Sequence, residues 1–177
     1  LKTQLNEIAS LSNKEWMDGL DERKLKELEF HDRDRDRSIQ ETLDKDTYDK
    51  FYSNIKFYST VKRSTDYCEN WMAENAKGKV FLDYACGNGA NAMKAAKAGA
   101  ALSIGFDISE VSVKNAQEDA KKQGLDNTFF FQADAENTKL PDSSVDAIIC
   151  AGMLHHLDLS QAFPELQRIL APGGKIL

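Results

Sequence analysis

The chain has 177 residues, of which 23 are basic and 29 acidic, so its formal net charge is −6. This acidic balance argues against sequence-independent nucleic-acid binding, which depends on Lys and Arg side chains that neutralise phosphates, and no apolar run approaches the roughly 20 residues of a membrane span. The three cysteines are widely spaced and form no zinc motif, so we expect reduced thiols in a cytoplasmic protein without a bound metal.

Residues 1–76 have the composition of a helical segment, with no proline and a single glycine. Apolar residues recur there at spacings of three and four, which is typical of amphipathic helices. The run HDRDRDR at 31–37 alternates in charge, and we interpret it as a solvated segment. Residues 47–58 (TYDKFYSNIKFY) then bring five aromatic side chains into twelve positions.

Residues 77–177 instead alternate short apolar runs with helical stretches that end at glycine. This alternation predicts an α/β fold, a Rossmann-like three-layer sandwich in which a parallel sheet carries helices on both faces. The predicted strands are 79–84, 102–107, 128–132, 145–150 and one that begins at 175; the predicted helices are 90–98, 110–123 and one that begins near 160.

Local signals indicate where the helices begin and end. Ser109 is a fair N-cap for the second helix of this region. Ser160 is predicted to cap the third helix, whose buried face would carry Phe163, Leu166, Ile169 and Leu170. The sequence Pro-Gly-Gly at 172–174 is predicted to end that helix, so that the fifth strand begins at Lys175.

Ligands of open parallel sheets bind outside the carboxyl ends of the strands, so the candidate site lies in the residues that follow each strand. After the first strand, the segment 83–89 (DYACGNG) contains glycines that let the backbone approach a ligand, and a helix N-terminus follows. The pattern Gly87-x-Gly89-x-x-Ala92 matches a dinucleotide-binding motif, and a tight turn without a ligand is the alternative.

Carboxylates follow the next two strands. Asp107 is placed to accept hydrogen bonds from ribose hydroxyls. The alternative is that it is an acidic residue at the start of a helix, where the helix dipole favours a negative charge. Asp134 is placed to accept from an exocyclic amine such as that of adenine, or is an ordinary loop aspartate. With Asp83 they suit S-adenosylmethionine, which carries an ammonium, a sulfonium, ribose and adenine, better than NAD, whose diphosphate is disfavoured beside a carboxylate.

Four segments resemble class I S-adenosylmethionine-dependent methyltransferases, over residues 78–177. They are VFLDYACGNGANAMKAA, GFDIS, FQADAENTKLPDSSVDAIICAGMLHHL and ELQRILAPGGKIL, in that order. The LHHL and LPDSSVD stretches are most similar to the small-molecule branch, which includes quinone-biosynthesis and natural-product enzymes. The resemblance implies S-adenosylmethionine as the cofactor, S-adenosylhomocysteine as the product and a small-molecule methyl acceptor.

The resemblance also implies a role for individual residues. Loop residues after the first strand would hold the methionine end of the cofactor, Asp107 the ribose, Ile108 the adenine face, and Asp134 with the backbone of Ala135 the adenine amine. Ala151 would line the methyl-transfer side. The implied cofactor residues are therefore Asp83, Ala85, Gly87, Asn88, Gly89, Asp107, Ile108, Asp134, Ala135 and Ala151.

Two departures from the family pattern carry expectations of their own. Ala85 stands where the family usually has the first glycine of the loop, and alanine fits there if its φ is negative. The family sheet has seven strands, so we expect the two C-terminal strands to be missing from this sequence and the fifth strand to be an exposed edge.

Histidines are the candidates for a general base, because a neutral imidazole accepts a proton near pH 6.5. His156 and His155 follow the strand end nearest the expected methyl group, with His156 slightly favoured. The alternative is that both are structural. His31, in the charged run, is a weaker candidate.

Residues 1–76 are expected to fold as a helical lid over the crevice and exclude water, with Tyr58 beside the cofactor, while residues 77–177 form the cofactor-binding core. Other functions stay open at this point: a non-catalytic S-adenosylmethionine-binding protein and a nicotinamide-dependent oxidoreductase. A nucleic-acid or protein methyltransferase would need a recognition domain or a basic face, and the sequence shows neither.

Overall fold

The structure, a computed structural model, describes residues 1–11, 13–51 and 61–177. None of the described helices combines the length and the apolar character that crossing a membrane requires. The N-terminal helices are α1 (Lys2–Ala9), α2 (Asn13–Met17), α3 (Glu22–Arg35), α4 (Arg37–Gln40), α5 (Lys45–Phe51) and α6 (Lys62–Ala76). The elements that follow are β1 (Val80–Tyr84), α7 (Ala90–Lys97), β2 (Leu102–Asp107), α8 (Glu110–Lys122), β3 (Thr128–Gln132), β4 (Val145–Ile149), a 3-10 turn (Leu154–His156), α9 (Leu159–Ile169) and β5 (Leu170–Ile176).

The five strands form one sheet in the order β3-β2-β1-β4-β5, and every pair is parallel. Strand order reverses between β1 and β4, which opens a crevice at the carboxyl ends of these strands. The predicted α/β class and Rossmann-like sandwich are therefore confirmed. Within the described residues, β5 pairs with β4 on one side only.

Alternate residues of the strands face two helical layers. On one face, Leu82 and Tyr84 of β1 belong to a core that also contains Leu5 of α1 and Ile169 of α9. On the other face, Phe81 packs in a cluster with residues of α6 and α7. Leu5 is completely buried, and burial of a leucine side chain contributes about 1.5–3 kcal/mol, which fastens α1 to the sheet.

Of the two predicted N-caps, Ser109 is confirmed and Ser160 is wrong. Ser109 does cap α8, since its side chain accepts from the backbone N–H of Ser112 at 3.0 Å. Ser160 does not cap α9, because the helix begins at Leu159 and its N-cap is Asp158, two residues earlier, whose carboxylate accepts from the Ser160 N–H at 2.9 Å. A carboxylate at this position also interacts favourably with the positive end of the helix dipole, which a serine hydroxyl does less well.

The end of α9 and its predicted buried face also need correction. The helix ends at Ile169 and β5 starts directly at Leu170, so Pro-Gly-Gly at 172–174 lies inside the strand rather than before it. The register with β4 jumps there from Leu170 to Lys175, as in a bulge, which an edge strand tolerates. Phe163 is 52% exposed, in contrast to the buried Leu166 of the same helix.

The charged run at 31–37 is not a solvated segment. It completes α3 and packs on α8, where Asp32 accepts from the Ser109 hydroxyl at 2.6 Å. Arg37 donates to both carboxylate oxygens of Asp119, at 3.1 and 2.6 Å. Two charged residues of the run, Asp32 and Arg37, therefore have partners at the start of α8 and within it that lie about eighty positions later in the chain, which local patterning cannot indicate.

Candidate functional site

A cleft of about 1280 Å³ opens at the carboxyl ends of the strands. Its floor is the sheet edge and the loops after β1, β2 and β4, while α3 and α6 form the opposite wall. Of the residues singled out in the sequence, those that line it are Asp83, Ala85, Gly87, Asn88, Asp107, Ile108, Asp134, Ala135, Ala151, His31 and His156. The topology thus brings together side chains spread over more than a hundred positions.

Gly89 lies behind the cleft rather than on its lining. It has a φ of +75°, and a Cβ there would stand 2.6 Å from a ring carbon of Phe130 and 2.9 Å from the Cβ of Ala116. The absent side chain therefore lets the start of α7 pack closely on β3 and α8. The glycine is needed for this packing as well as for the turn.

Ala85 has a φ of +56°, so the condition under which alanine fits this position, a negative φ, is not met. Its neighbour Cys86 is held by a backbone hydrogen bond to the carbonyl of Phe106 at 2.7 Å, and Gly87 follows with a φ of +51°. These constraints impose the left-handed conformation on a residue that carries a Cβ, at a cost of roughly 1–2 kcal/mol.

Asp83 is a buried carboxylate at the end of β1, only 2% exposed. It accepts from the backbone N–H of Ala92 at 3.0 Å and from the side chain of Asn91 at 3.5 Å, so it also fastens the first turn of α7. Burial raises its pKa from 3.8 to about 7, although these hydrogen bonds act in the opposite direction. A cation entering the cleft would favour the ionised carboxylate.

Asp107 ends β2 and is 7% exposed. One carboxylate oxygen accepts from the Gly87 N–H at 2.8 Å and the other from the Ser109 N–H at 3.0 Å. Burial raises the pKa of Asp107, against the lowering effect of these two N–H groups. The Asp107 side chain links the loop at 85–89, the glycine loop, to the start of α8. The following residue, Ile108, also lines the cleft.

Asp134 is occupied by a partner that the sequence did not indicate. Its Oδ2 lies 2.6 Å from Nζ of Lys24, whose ammonium also lies 2.7 Å from Glu136. Arg23 donates to the same Glu136 at 2.6 Å. Burial opposes ionisation of Glu136, yet the hydrogen bonds from Lys24 and its other partners bring its pKa below the usual range. This ion-pair network joins α3 to the loop after β3.

His156 lies at the cleft, and its Nδ1 is 3.1 Å from Oε2 of Glu27. The same carboxylate oxygen is 3.4 Å from Nε2 of His31. His155 is exposed and is not among the lining residues, although its ring centroid lies 4.0 Å from that of His156. The geometry thus separates two neighbouring histidines between which the sequence favoured His156 only slightly. Tyr58 lies outside the described residues.

Four charged residues of α3 line the cleft without having been predicted: Arg23, Lys24, Glu27 and Arg35. Arg35 stands over the glycine loop, with Nη1 4.0 Å from where a Cβ of Gly87 would lie. One signal was present in the sequence, because Glu27 and His31 are four apart and so share a helix face. The other contacts depend on how α3 docks on the sheet, which no local pattern reports.

The chain spans well under half the length of the curated relatives it matches. It is 36% identical over 101 residues to the 27-O-demethylrifamycin SV methyltransferase of Amycolatopsis mediterranei, which covers 56% of this chain and 37% of that protein. It is 30% identical over 124 residues to the ribosomal protein L11 methyltransferase of Photobacterium profundum, over 69% of this chain and 40% of that protein.

A solved structure agrees with these matches. The structure of an S-adenosylmethionine-dependent methyltransferase from Mesorhizobium loti superposes with a TM-score of 0.54 at 27% identity, over 61% of this chain and 49% of that chain. A family model described as a methyltransferase domain matches residues 81–174, which is more than half of the sequence and includes the glycine loop and the carboxylates of the cleft. The chain therefore belongs to the methyltransferase domain family.

Proposed function

We propose that this protein transfers a methyl group from S-adenosylmethionine to a small-molecule acceptor. The observation that carries the proposal is the arrangement of Asp83, Asp107 and Asp134, three carboxylates at consecutive strand ends, around one cleft. Ionised Asp83 would suit an ammonium group, and Asp134, although Lys24 lies 2.6 Å from its Oδ2, keeps lone pairs that can accept from an exocyclic amine. The likeness to the S-adenosylmethionine-dependent enzyme from Mesorhizobium loti and the family match support the same cofactor.

The residues present fit this cofactor. Asp83 is buried and titrates near pH 7, so an ammonium group would draw it into the ionised form. Arg35 over the glycine loop supplies a positive charge for a carboxylate. Asp107 is already oriented by two backbone N–H groups, which lowers the cost of fixing it against ribose hydroxyls.

When bound, the cofactor supplies an electrophilic methyl group on a sulfonium. The protein's contribution is to align the acceptor with that methyl group and to keep water out, and alignment contributes about 7–11 kcal/mol in favourable cases. His156 lines the cleft and is the side chain that we expect beside the acceptor. Without a metal, Oε2 of Glu27, 3.1 Å from its Nδ1, would favour the tautomer protonated at Nδ1 and leave Nε2 free to take a proton from the acceptor.

We infer that residues 1–76 act as a cap and residues 77–177 as the cofactor-binding core. Helices α3 and α6 contribute one wall of the cleft, and the Lys24 ion pairs hold α3 over the loop after β3. Such a wall leaves room for a compact acceptor. A cytoplasmic location is consistent with the three cysteines, all of which are free thiols in the described residues.

The named relatives differ in the class of molecule that they are named for methylating. The Amycolatopsis relative is named for a rifamycin substrate, whereas the Photobacterium relative is named for a ribosomal protein. The net charge of −6 favours the small molecule, since a ribosomal target would be met more readily by a surface complementary to its RNA surroundings.

Calorimetric titration with S-adenosylhomocysteine and, separately, NADH tests the cofactor. We expect binding of the thioether and none of NADH, and Asp107→Ala should weaken binding by about 1.5–3 kcal/mol, the scale of hydrogen bonds to a charged group. Asp126→Ala, which removes an exposed carboxylate, is the matched control. Tight NADH binding without a response to the thioether would overturn the assignment.

A screen for S-adenosylhomocysteine release tests the acceptor. The protein would be incubated with S-adenosylmethionine and either a metabolite library or ribosomal protein L11. Turnover with a metabolite supports the proposal, and turnover with the ribosomal protein alone would contradict the small-molecule part of it.

A further inference from the structure

Three side chains of metal-binding type converge at the cleft. Glu27 and His31 lie one turn apart on α3, and His156 lies in the 3-10 turn that follows β4. Oε2 of Glu27 lies 3.4 Å from Nε2 of His31 and 3.1 Å from Nδ1 of His156, and the three residues offer one ligand atom each within 4.8 Å of one another. We propose that they form a binding site for a divalent transition metal, with Zn²⁺ as the best match.

The two distances from the Glu27 oxygen fit a tetrahedral ion. With metal–ligand bonds of about 2.0–2.1 Å, two ligand atoms of a tetrahedral site are roughly 3.3–3.4 Å apart. The Glu27 oxygen is 3.4 Å from the His31 nitrogen and 3.1 Å from the His156 nitrogen. The two imidazole rings meet at 74° instead of stacking, so their nitrogen lone pairs can converge on one point after small side-chain rotations.

The donor set is one that zinc uses in catalytic sites. Two imidazoles and one carboxylate leave a fourth position open, in contrast to the closed four-ligand structural sites. All three residues line the cleft, so the open position would face its interior. Their side chains are 23–36% exposed, which leaves an entry path for the ion.

Electrostatics around the cluster also favours a cation. The basic residues just before it on α3, Arg23 and Lys24, are paired with Glu136 and Asp134. The guanidinium of Arg23 also donates to the carbonyl of His156 at 2.6 Å, which holds the 3-10 turn against α3. The ligands therefore come from two elements that a separate set of contacts already fixes together.

A role for the metal rests on the proposed function. An acceptor hydroxyl bound at the open position would lose its proton to water more readily, because the ion lowers the pKa of a bound oxygen. The acceptor oxygen would then form a bond to the methyl carbon while the carbon–sulfur bond breaks, and its electron pair would leave with the neutral thioether. His156 would serve as a ligand in this form, so the metal takes the place of an imidazole base.

The test is a Zn²⁺ titration of the 177-residue chain without cofactor or acceptor, by competition with a chromophoric chelator. We expect one ion per chain and at least a tenfold loss of affinity in Glu27→Gln and in His31→Ala. His155→Ala, which removes the exposed neighbour, is the matched control and should bind as the wild type does. Equal affinity in all four proteins would overturn the proposal, since the cysteines common to them would then be the ligands.

A second measurement uses the wild-type protein alone, so it does not require any variant to fold. The chain contains three histidines, so imidazole NMR resolves each ring. Zn²⁺ should shift the signals of His31 and His156 more than that of His155, whose ring lies 4.0 Å from that of His156; equal shifts of all three signals, or a shift of none, would refute the site. Because S-adenosylhomocysteine binding is measured separately, loss of the metal site and loss of the cofactor assignment are distinguishable.

Discussion

Replacement of Asp83 by asparagine tests the electrostatics of the cleft, because burial places the titration of this carboxylate near neutral pH. Its pKa rises from 3.8 to about 7 in the native state. The native protein therefore keeps a proton that the unfolded chain has already released, and stability falls as pH rises from about 4 to about 7. At about 1.36 kcal/mol per pH unit, the free energy of unfolding falls by the order of 4 kcal/mol over this pH range.

The Ala92 N–H donates to the Asp83 carboxylate at 3.0 Å, and an asparagine side chain keeps an oxygen that can accept this hydrogen bond. Unlike the carboxylate, the asparagine amide does not titrate. The free energy of unfolding of Asp83→Asn, relative to the wild type, should therefore increase by the order of 4 kcal/mol between pH 4 and pH 8. Urea denaturation followed by circular dichroism at each pH measures it. Asp126→Asn is the exposed control, and its difference from the wild type should change little over this range.

Parallel stability curves for the wild type and Asp83→Asn would refute the reasoning, since they would mean that Asp83 ionises as it does in the unfolded chain. The same ionisation has a consequence for binding. A cationic ligand pairs with the charged carboxylate, so its affinity should rise with pH up to about 7 and then level off, with proton release on binding below that pH. Calorimetry in buffers of different ionisation enthalpy detects the released proton.

Three further substitutions test the geometry by thermal or urea denaturation. Ala85→Gly should stabilise the protein by up to about 1 kcal/mol, because relief of the positive φ exceeds the added entropy of the unfolded chain; a loss of stability would contradict the left-handed loop. Gly89→Ala should cost roughly 2–4 kcal/mol through its positive φ and its clash with Phe130, and an unchanged melting temperature would count against that packing. Lys24→Met should cost about 3 kcal/mol because two carboxylates lose their buried partner. Lys26→Met, at a side chain that is 72% exposed, should change stability by no more than about 0.5 kcal/mol; equal effects of the two would show that the Lys24 ion pairs contribute nothing.

Strands β1, β2 and β4 could be predicted closely because each is a short apolar run that is buried over nearly its whole length. Residues 102–107 and 128–132 match β2 and β3 at both ends. Parallel strands joined by helices place their carboxyl ends on one edge. The positions of Asp83 and Asp107 beside the cleft follow from that rule, and the structure places both on its lining.

The predictions that failed concern choices among competing local interactions. Both Asp158 and Ser160 are good N-cap residues, and the structure uses the aspartate because α9 begins at Leu159. Pro-Gly-Gly at 172–174 is a good helix terminator, yet the chain is already extended at Leu170, where it pairs with Val145 of β4. Sheet pairing supplied the deciding contacts, and it involves residues far away in the sequence.

By itself, the sequence determined the order of strands and helices in the core and the carboxylates that follow them, because periodicity and turn residues act over a few positions. The docking of α3 was decided only by the tertiary structure. The ion pair of Lys24 with Asp134 joins residues 110 positions apart, and the approach of Glu27 to His156 spans a similar distance along the chain. Such contacts depend on how whole elements are oriented, and α3 is held in place by polar partners from distant segments, because the buried residue of this helix is the charged Lys24.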